Sequence, residues 1–153
     1  MEVRFNLLSA ENLALSQWDG SFDLQTLEVE SHRFIGQLRD TKVDKCIIDL
    51  RNAEFETDYI DGKNVIQKIA ESLELEKAMR IVLITETPRT TIFAILLMQF
   101  LDQSIHFASL CSTVEYAIPL LDIRKSEKEI REKLHRNGTA RNSDLIMKKE
   151  TTS

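Results

Sequence analysis

Two cysteines, two prolines and four glycines are few for 153 residues, and each scarcity removes a class of protein. Cys46 and Cys111 lie far apart, outside any C-x-x-C pair or spaced ligand framework, so neither a disulfide scaffold nor a cysteine-rich zinc module is expected. Gly20, Gly36, Gly62 and Gly138 build no G-x-G-x-x-G turn and no phosphate-cradling loop, which disfavours nucleotide-dependent catalysis. His32, His106 and His135 never stand at helical i, i+4 spacing, and no carboxylate joins them in a zinc motif, so no metal and no cofactor is expected. The longest apolar run, Ile92 to Met98 and on past Gln99 to Leu101, is about half of the roughly 20 residues that span a bilayer. No transmembrane segment is predicted. The opening MEVRFNLLS shows no charged stretch followed by a long apolar one, so no signal peptide is predicted and cytoplasmic residence is the expectation.

Charge of one sign is also scarce where nucleic acid would need it. Residues 1–123 carry a net −9 and residues 124–153 a net +4. An acidic body repels a phosphate backbone, so no nucleic-acid partner is expected, although the basic end can touch something anionic. The chain length suits one core, and the composition divides it into a domain over 1–123 and a charged tail over 124–153. Within the tail, Ile130 and Leu134 form an i, i+4 apolar pair before Asn137-Gly138, which reads as a short peripheral helix followed by a disordered end.

Periodicity supplies the elements. Val3–Leu8 and Asn12–Trp18 read as a strand pair across a Ser-Ala-Glu-Asn turn. Asp23–Arg39 places Leu24, Leu27, Phe34, Ile35 and Leu38 on one helical face, with Ser21 or Asp23 as N-cap. Val43–Leu50 is a continuous apolar strand, and Arg51–Phe55 reads as the connection after it. Thr57 or Asp58 caps a helix from Tyr59 to about Leu75, with Ile66, Ile69, Ala70 and Leu73 inward and Gly62 where packing on the sheet wants no side chain. RIVLIT, Arg80–Thr85, is the clearest buried strand. Pro88 opens a helix to about Asp102, Ile105–Leu110 is a fifth strand, and Ser112 with Glu115 matches a capping box for a final helix through Val114, Ala117, Ile118 and Leu121. The order ββαβαβαβα predicts an α/β fold with a mixed five-stranded sheet.

Four stretches, LALSQWDGSFD (13–23), KCIIDLRNAEF (45–55), RIVLITET (80–87) and 105–121 ending in STVEYAIPLL, resemble in order and spacing the SpoIIAA-like (STAS/Sec14-type) family of bacteria. The resemblance implies a non-enzymatic regulatory or scaffold domain that binds a protein partner. Its Sec14-like side implies, as an alternative, a binder of a lipid or small apolar ligand at a membrane surface. In the anti-sigma-factor antagonists that this family resembles more distantly, a D-S-S-G turn carries a phosphorylated serine. The equivalent stretch here is Thr57-Asp58-Tyr59-Ile60, so that serine does not carry over. Thr57, Asp58 and Tyr59 stand as a candidate regulatory turn whose ordinary roles are a helix cap and a packed aromatic.

The junction Thr85-Glu86-Thr87-Pro88-Arg89-Thr90-Thr91 lies at the carboxyl end of a strand and the start of a helix, where open α/β sheets bind ligands and helix N–H groups attract anions. Thr85, Thr87, Arg89 and Thr90 are therefore candidate anion ligands; the plainer reading makes Thr87 a cap and pairs Arg89 with Glu86. The helix from Pro88 is apolar nearly all round, so Phe93, Leu96, Leu97 and Phe100 are candidates for a homodimer interface, with intrachain burial and lipid contact as the rival explanations. An enzyme using Cys111 or His106 is the weakest reading: Cys46 sits in an apolar strand and Cys111 has no histidine at useful spacing. No catalytic residue is assigned.

Overall fold

A computed structural model describes residues 1–72, 78–101 and 107–134. β1 (Glu2–Leu8) and β2 (Leu13–Phe22) pair antiparallel, and the chain reverses between them through one 3-10 turn, Ser9–Glu11, and Asn12 at φ 57°. Asparagine tolerates the left-handed region better than most residues, so the reversal forms without glycine. There follow α1 (Leu24–Arg39), β3 (Lys45–Phe55), α2 (Tyr59–Ser72), β4 (Arg80–Ile84), α3 (Pro88–Leu101), β5 (Phe107–Cys111) and α4 (Val114–Leu120). Residues 127–134 are helical and are called α5. The ββαβαβαβα order and the mixed α/β sheet are as expected. The strands lie in the order β1-β2-β3-β4-β5, parallel from β2 onward.

Each crossover from β2 to β5 steps to the next strand in the same direction. Right-handed connections then put α1, α2 and α3 on one face of the sheet. There Leu27, Phe34, Ile35 and Leu38 of α1, Val65, Ile66 and Ile69 of α2, and Phe93, Ala94 and Leu96 of α3 bury Ala14, Trp18, Cys46, Ile48, Ile81 and Leu83. The opposite face, with Leu13, Leu15, Ile47, Val82 and Ile84, is covered by Val114, Ala117 and Leu121 together with Ile123, Ile130 and Leu134. RIVLIT supplies both faces at once: Ile81 to Ile84 are all buried, as a central parallel strand requires.

Several boundaries differ from the sequence expectation. β3 does not end at Leu50, because Arg51–Phe55 stays extended and pairs Asn52–Phe55 with Asp19–Phe22 beyond a register shift in β2. The signal lies in period two: Ala53 and Phe55 are buried between exposed Asn52, Glu54 and Glu56, and the acidic residues simply mark the solvent side. α4 is capped by Thr113, whose hydroxyl accepts from the Tyr116 N–H at 3.4 Å, rather than by Ser112. Gly62 faces another helix rather than the sheet: a Cβ there would lie 2.4 Å from Phe93 Cε1. α5 is not peripheral, since Ile130 is fully buried and Leu134 nearly so. The expected α2 residue Leu73, the α3 end at Asp102 and the β5 start at Ile105 lie outside the described residues.

Candidate functional site

The carboxyl ends of β3, β4 and β5 converge with the starts of α2 and α3. Between β4 and α3, Thr87 caps α3 by accepting from the Thr90 N–H at 3.3 Å, and its hydroxyl donates to Thr90 Oγ1 at 2.9 Å. Thr90 Oγ1 in turn donates to the Ala53 carbonyl of β3 at 3.1 Å. Thr91 Oγ1 donates to the Thr87 carbonyl at 2.7 Å, so the 2.8 Å contact between the Thr85 and Thr91 hydroxyls has Thr85 as donor. Each of the four hydroxyl protons is thus committed inside the chain, which locks the start of α3 to β3 and β4. Arg89 reaches across to donate from Nη2 to the Thr57 carbonyl at 2.9 Å, tying the candidate anion junction to the candidate regulatory turn. Pro88 has no N–H, and those of Thr90 and Thr91 go to the Thr87 hydroxyl and carbonyl, so what is left there for a ligand is the Arg89 backbone N–H and the other donors of its side chain. In the turn itself, Asp58 Oδ1 accepts from the Asp61 N–H at 2.8 Å and caps α2, while Thr57 is half-buried; the Tyr59 side chain lies outside the described residues.

On the opposite face of the sheet, a polar group interrupts the apolar rows. Leu13, Leu15 and Gln17 point the same way from β2, as do Ile47 and Asp49 from β3, and the register puts Leu15 beside Ile47 and Gln17 beside Asp49. Asp49, 2% exposed, accepts from Arg51 Nε at 2.9 Å, from Arg51 Nη2 at 2.8 Å and from the Arg51 backbone N–H at 3.1 Å. The hydrogen bonds that Arg51 donates to Asp49 raise the Arg51 pKa, with burial acting against them, and the guanidinium stays cationic. Gln17, Asp49 and Arg51 with Arg131 and Leu134 of α5 line a cavity of about 220 Å3. Sequence reasoning passed over this group; the available signal was polar residues in phase with the inward apolar side of β2 and β3.

The thiols are poorly placed for nucleophilic work. Burial pushes the Cys46 pKa far up, and burial also raises that of Cys111, against the opposing effects of the Thr113 backbone hydrogen bond and of Arg51. Cys111 is half-buried and its thiol donates to the Thr113 carbonyl. A neutral thiol is a weak nucleophile. His106 and His135 lie outside the described residues, and His32 is exposed on α1. Among the described residues no three potential metal-ligating side chains gather, and no helix is long and apolar enough to cross a membrane.

On α3, Phe93 and Leu96 turn inward and pack in the chain's own core, and Leu97 is half-buried. The Phe100 side chain lies outside the described residues. Among the described residues of α3, the outward large apolar side chains are Ile92 and Ile95, 47% and 42% exposed. Under α1, α2 and α3 lies an apolar void of about 80 Å3 lined by Trp18, Phe34, Phe55, Ile69 and Phe93, among others. That is about half of the ~150 Å3 that admits a benzene in an engineered core, and far too small for an acyl chain.

No family model matches the sequence, and no curated protein matches it. Among solved structures, the chain is similar to the anti-sigma factor antagonist SpoIIAA in its unphosphorylated form, at 14% identity and a TM-score of 0.44 over 79% of this chain and 98% of that one. It is also similar to the Bacillus cell fate determinant SpoIIAA in the phosphorylated form, at 16% identity and a TM-score of 0.42 over 77% of this chain and 97% of that one.

Proposed function

We propose that this chain is a non-enzymatic, STAS-like regulatory or scaffold domain that binds protein, and that it self-associates through the outer side of α3. The observation that carries the reading is the pair Ile92 and Ile95, one helical turn apart and each more than two-fifths exposed. A single exposed isoleucine is ordinary, but two on one stripe of a helix whose remaining face is already packed mark a surface that gains by being covered. Ile60, 71% exposed, extends the apolar character to the first turn of α2, the helix that packs beside α3. The turn at Thr57 and Asp58, linked to α3 by Arg89, is the place where a change in charge would be felt at that surface. The high thiol pKa values favour a binding role over nucleophilic catalysis.

Light scattering after size-exclusion chromatography tests the reading over a wide range of concentration. The unsubstituted chain is expected to dimerise, and Ile92→Glu with Ile95→Glu to leave a folded monomer of unchanged circular dichroism. Leu96→Glu separates surface from core: at 5% exposure it is expected to unfold the chain rather than merely dissociate it. An unsubstituted chain that stays monomeric at every concentration refutes self-association through α3.

A further inference from the structure

The cavity between the sheet and α5 has in its wall a residue with an unanswered acceptor. Gln17 is 6% exposed, and among the described residues its Oε1 has no hydrogen-bond partner. A buried amide oxygen left alone costs stability, so its retention beside a cavity points to a donor that comes from outside the chain. The rest of the wall supplies positive charge. Asp49 takes two of the five N–H donors of the Arg51 side chain, leaving others directed elsewhere. Arg131, on α5, pairs with Glu127 and reaches the same cavity from its exposed side. An adjoining recess lined by Arg4, Asn6, Leu15, Gln17, Lys133 and Leu134 shares Gln17 and Leu134, which brings Lys133 to the rim.

From this geometry we infer that the Gln17–Arg51–Arg131 cavity binds a small anion that also carries a hydroxyl, a hydroxycarboxylate or the phosphate ester of a small polyol. The Gln17 amide, whose Oε1 is closed to solvent in the ligand-free chain, turns toward the cavity on binding and accepts from the hydroxyl, and the anionic group takes the guanidinium donors that Asp49 and Glu127 leave over, in charge-assisted hydrogen bonds. The volume, about 220 Å3, equals about seven waters at ~30 Å3 each and suits a molecule of about ten non-hydrogen atoms. The site lies on the face opposite α1, α2 and α3, so it stands or falls independently of self-association.

Calorimetric titration of the whole chain with malate, succinate, glycerol phosphate and sulfate tests this. Malate and succinate share charge and length and differ by one hydroxyl; glycerol phosphate and sulfate separate an ester with hydroxyls from a bare anion. Malate or glycerol phosphate is expected to bind saturably and about tenfold or more tighter than its control. Gln17→Met, which keeps the side chain's length, is expected to raise the melting temperature of the ligand-free chain while erasing that preference. Arg131→Gln, at an exposed position, is expected to weaken every anion about tenfold without altering the fold. Absence of saturable binding by all four probes overturns the inference and leaves a cavity filled by water only; equal binding within each pair, or a preference that survives Gln17→Met, overturns it too, because Gln17 then recognises no hydroxyl.

Discussion

Gly62 shows how a single missing methylene sets the spacing of two helices. A Cβ at that position would lie 2.4 Å from Phe93 Cε1 and 2.7 Å from Cζ, well inside contact distance. In a free helix alanine outdoes glycine by about 1 kcal/mol, whereas overpacking of this kind costs about 1–3 kcal/mol. The clash therefore outweighs the propensity gain. Gly62→Ala is expected to lower the urea midpoint, and adding Phe93→Leu, which withdraws the ring edge, to recover part of the loss. Stabilisation by Gly62→Ala alone would contradict the packing. At this scale much was legible in the sequence: Thr87 as cap, Cys46 as a core residue and Asp23 as the start of α1 follow from residue type and neighbours, and Asp23 does accept from the Thr26 N–H at 2.8 Å. Gln17 was legible only as a polar residue in phase with Leu13 and Leu15; that it joins Asp49 in a buried group needs the register between β2 and β3.

At the scale of elements, the N-terminus of α2 carries two acids of opposite value. Asp58 caps the helix, and a second carboxylate in the first turn would normally gain from the helix dipole. Here the neighbouring Asp58 charge, followed by its hydrogen bond, raises the Asp61 pKa instead. A folded-state pKa above the unfolded one means that the native fold holds the proton more tightly, so the repulsion is absent at acid pH and complete above the folded pKa. Asp61→Asn is accordingly expected to raise the melting temperature near neutrality, with the gain fading as pH falls through the carboxylate range; a gain that is constant with pH would assign it to something other than charge. Elements were legible where burial is two-sided or amphipathic, as in RIVLIT and α1. The second half of β3 carried a period-two signal in Ala53 and Phe55, but its pairing was not legible, because the partner Asp19–Phe22 is reached only after the register shift between Gln17 and Asp19.

For the molecule as a whole, the order of strands decides which face is easily closed. Three consecutive crossovers deliver α1, α2 and α3 to one side, but the other side depends on whatever follows β5, and the seven residues of α4 are too few to cover five strands. α5 completes that layer, with Ile130 fully buried against the cluster that holds Leu13, Leu15, Ile47 and Val82. The charge change after residue 123 drew a boundary in the sequence that the core does not respect, because a helix with one apolar stripe and many charges looks peripheral until its stripe has a partner. Ile130→Ala is therefore expected to cost about 2–4 kcal/mol in urea unfolding, the range for truncating a large aliphatic side chain in a closed core. A chain ending at residue 123 should lose more: with α5 gone the second face is open to solvent, less surface is buried on folding, and the urea m-value falls along with the midpoint. If instead Ile130→Ala behaved like a surface change, within about 0.5 kcal/mol of the unsubstituted chain, α5 would be an appendage and the cavity it closes over Gln17 would lose its wall.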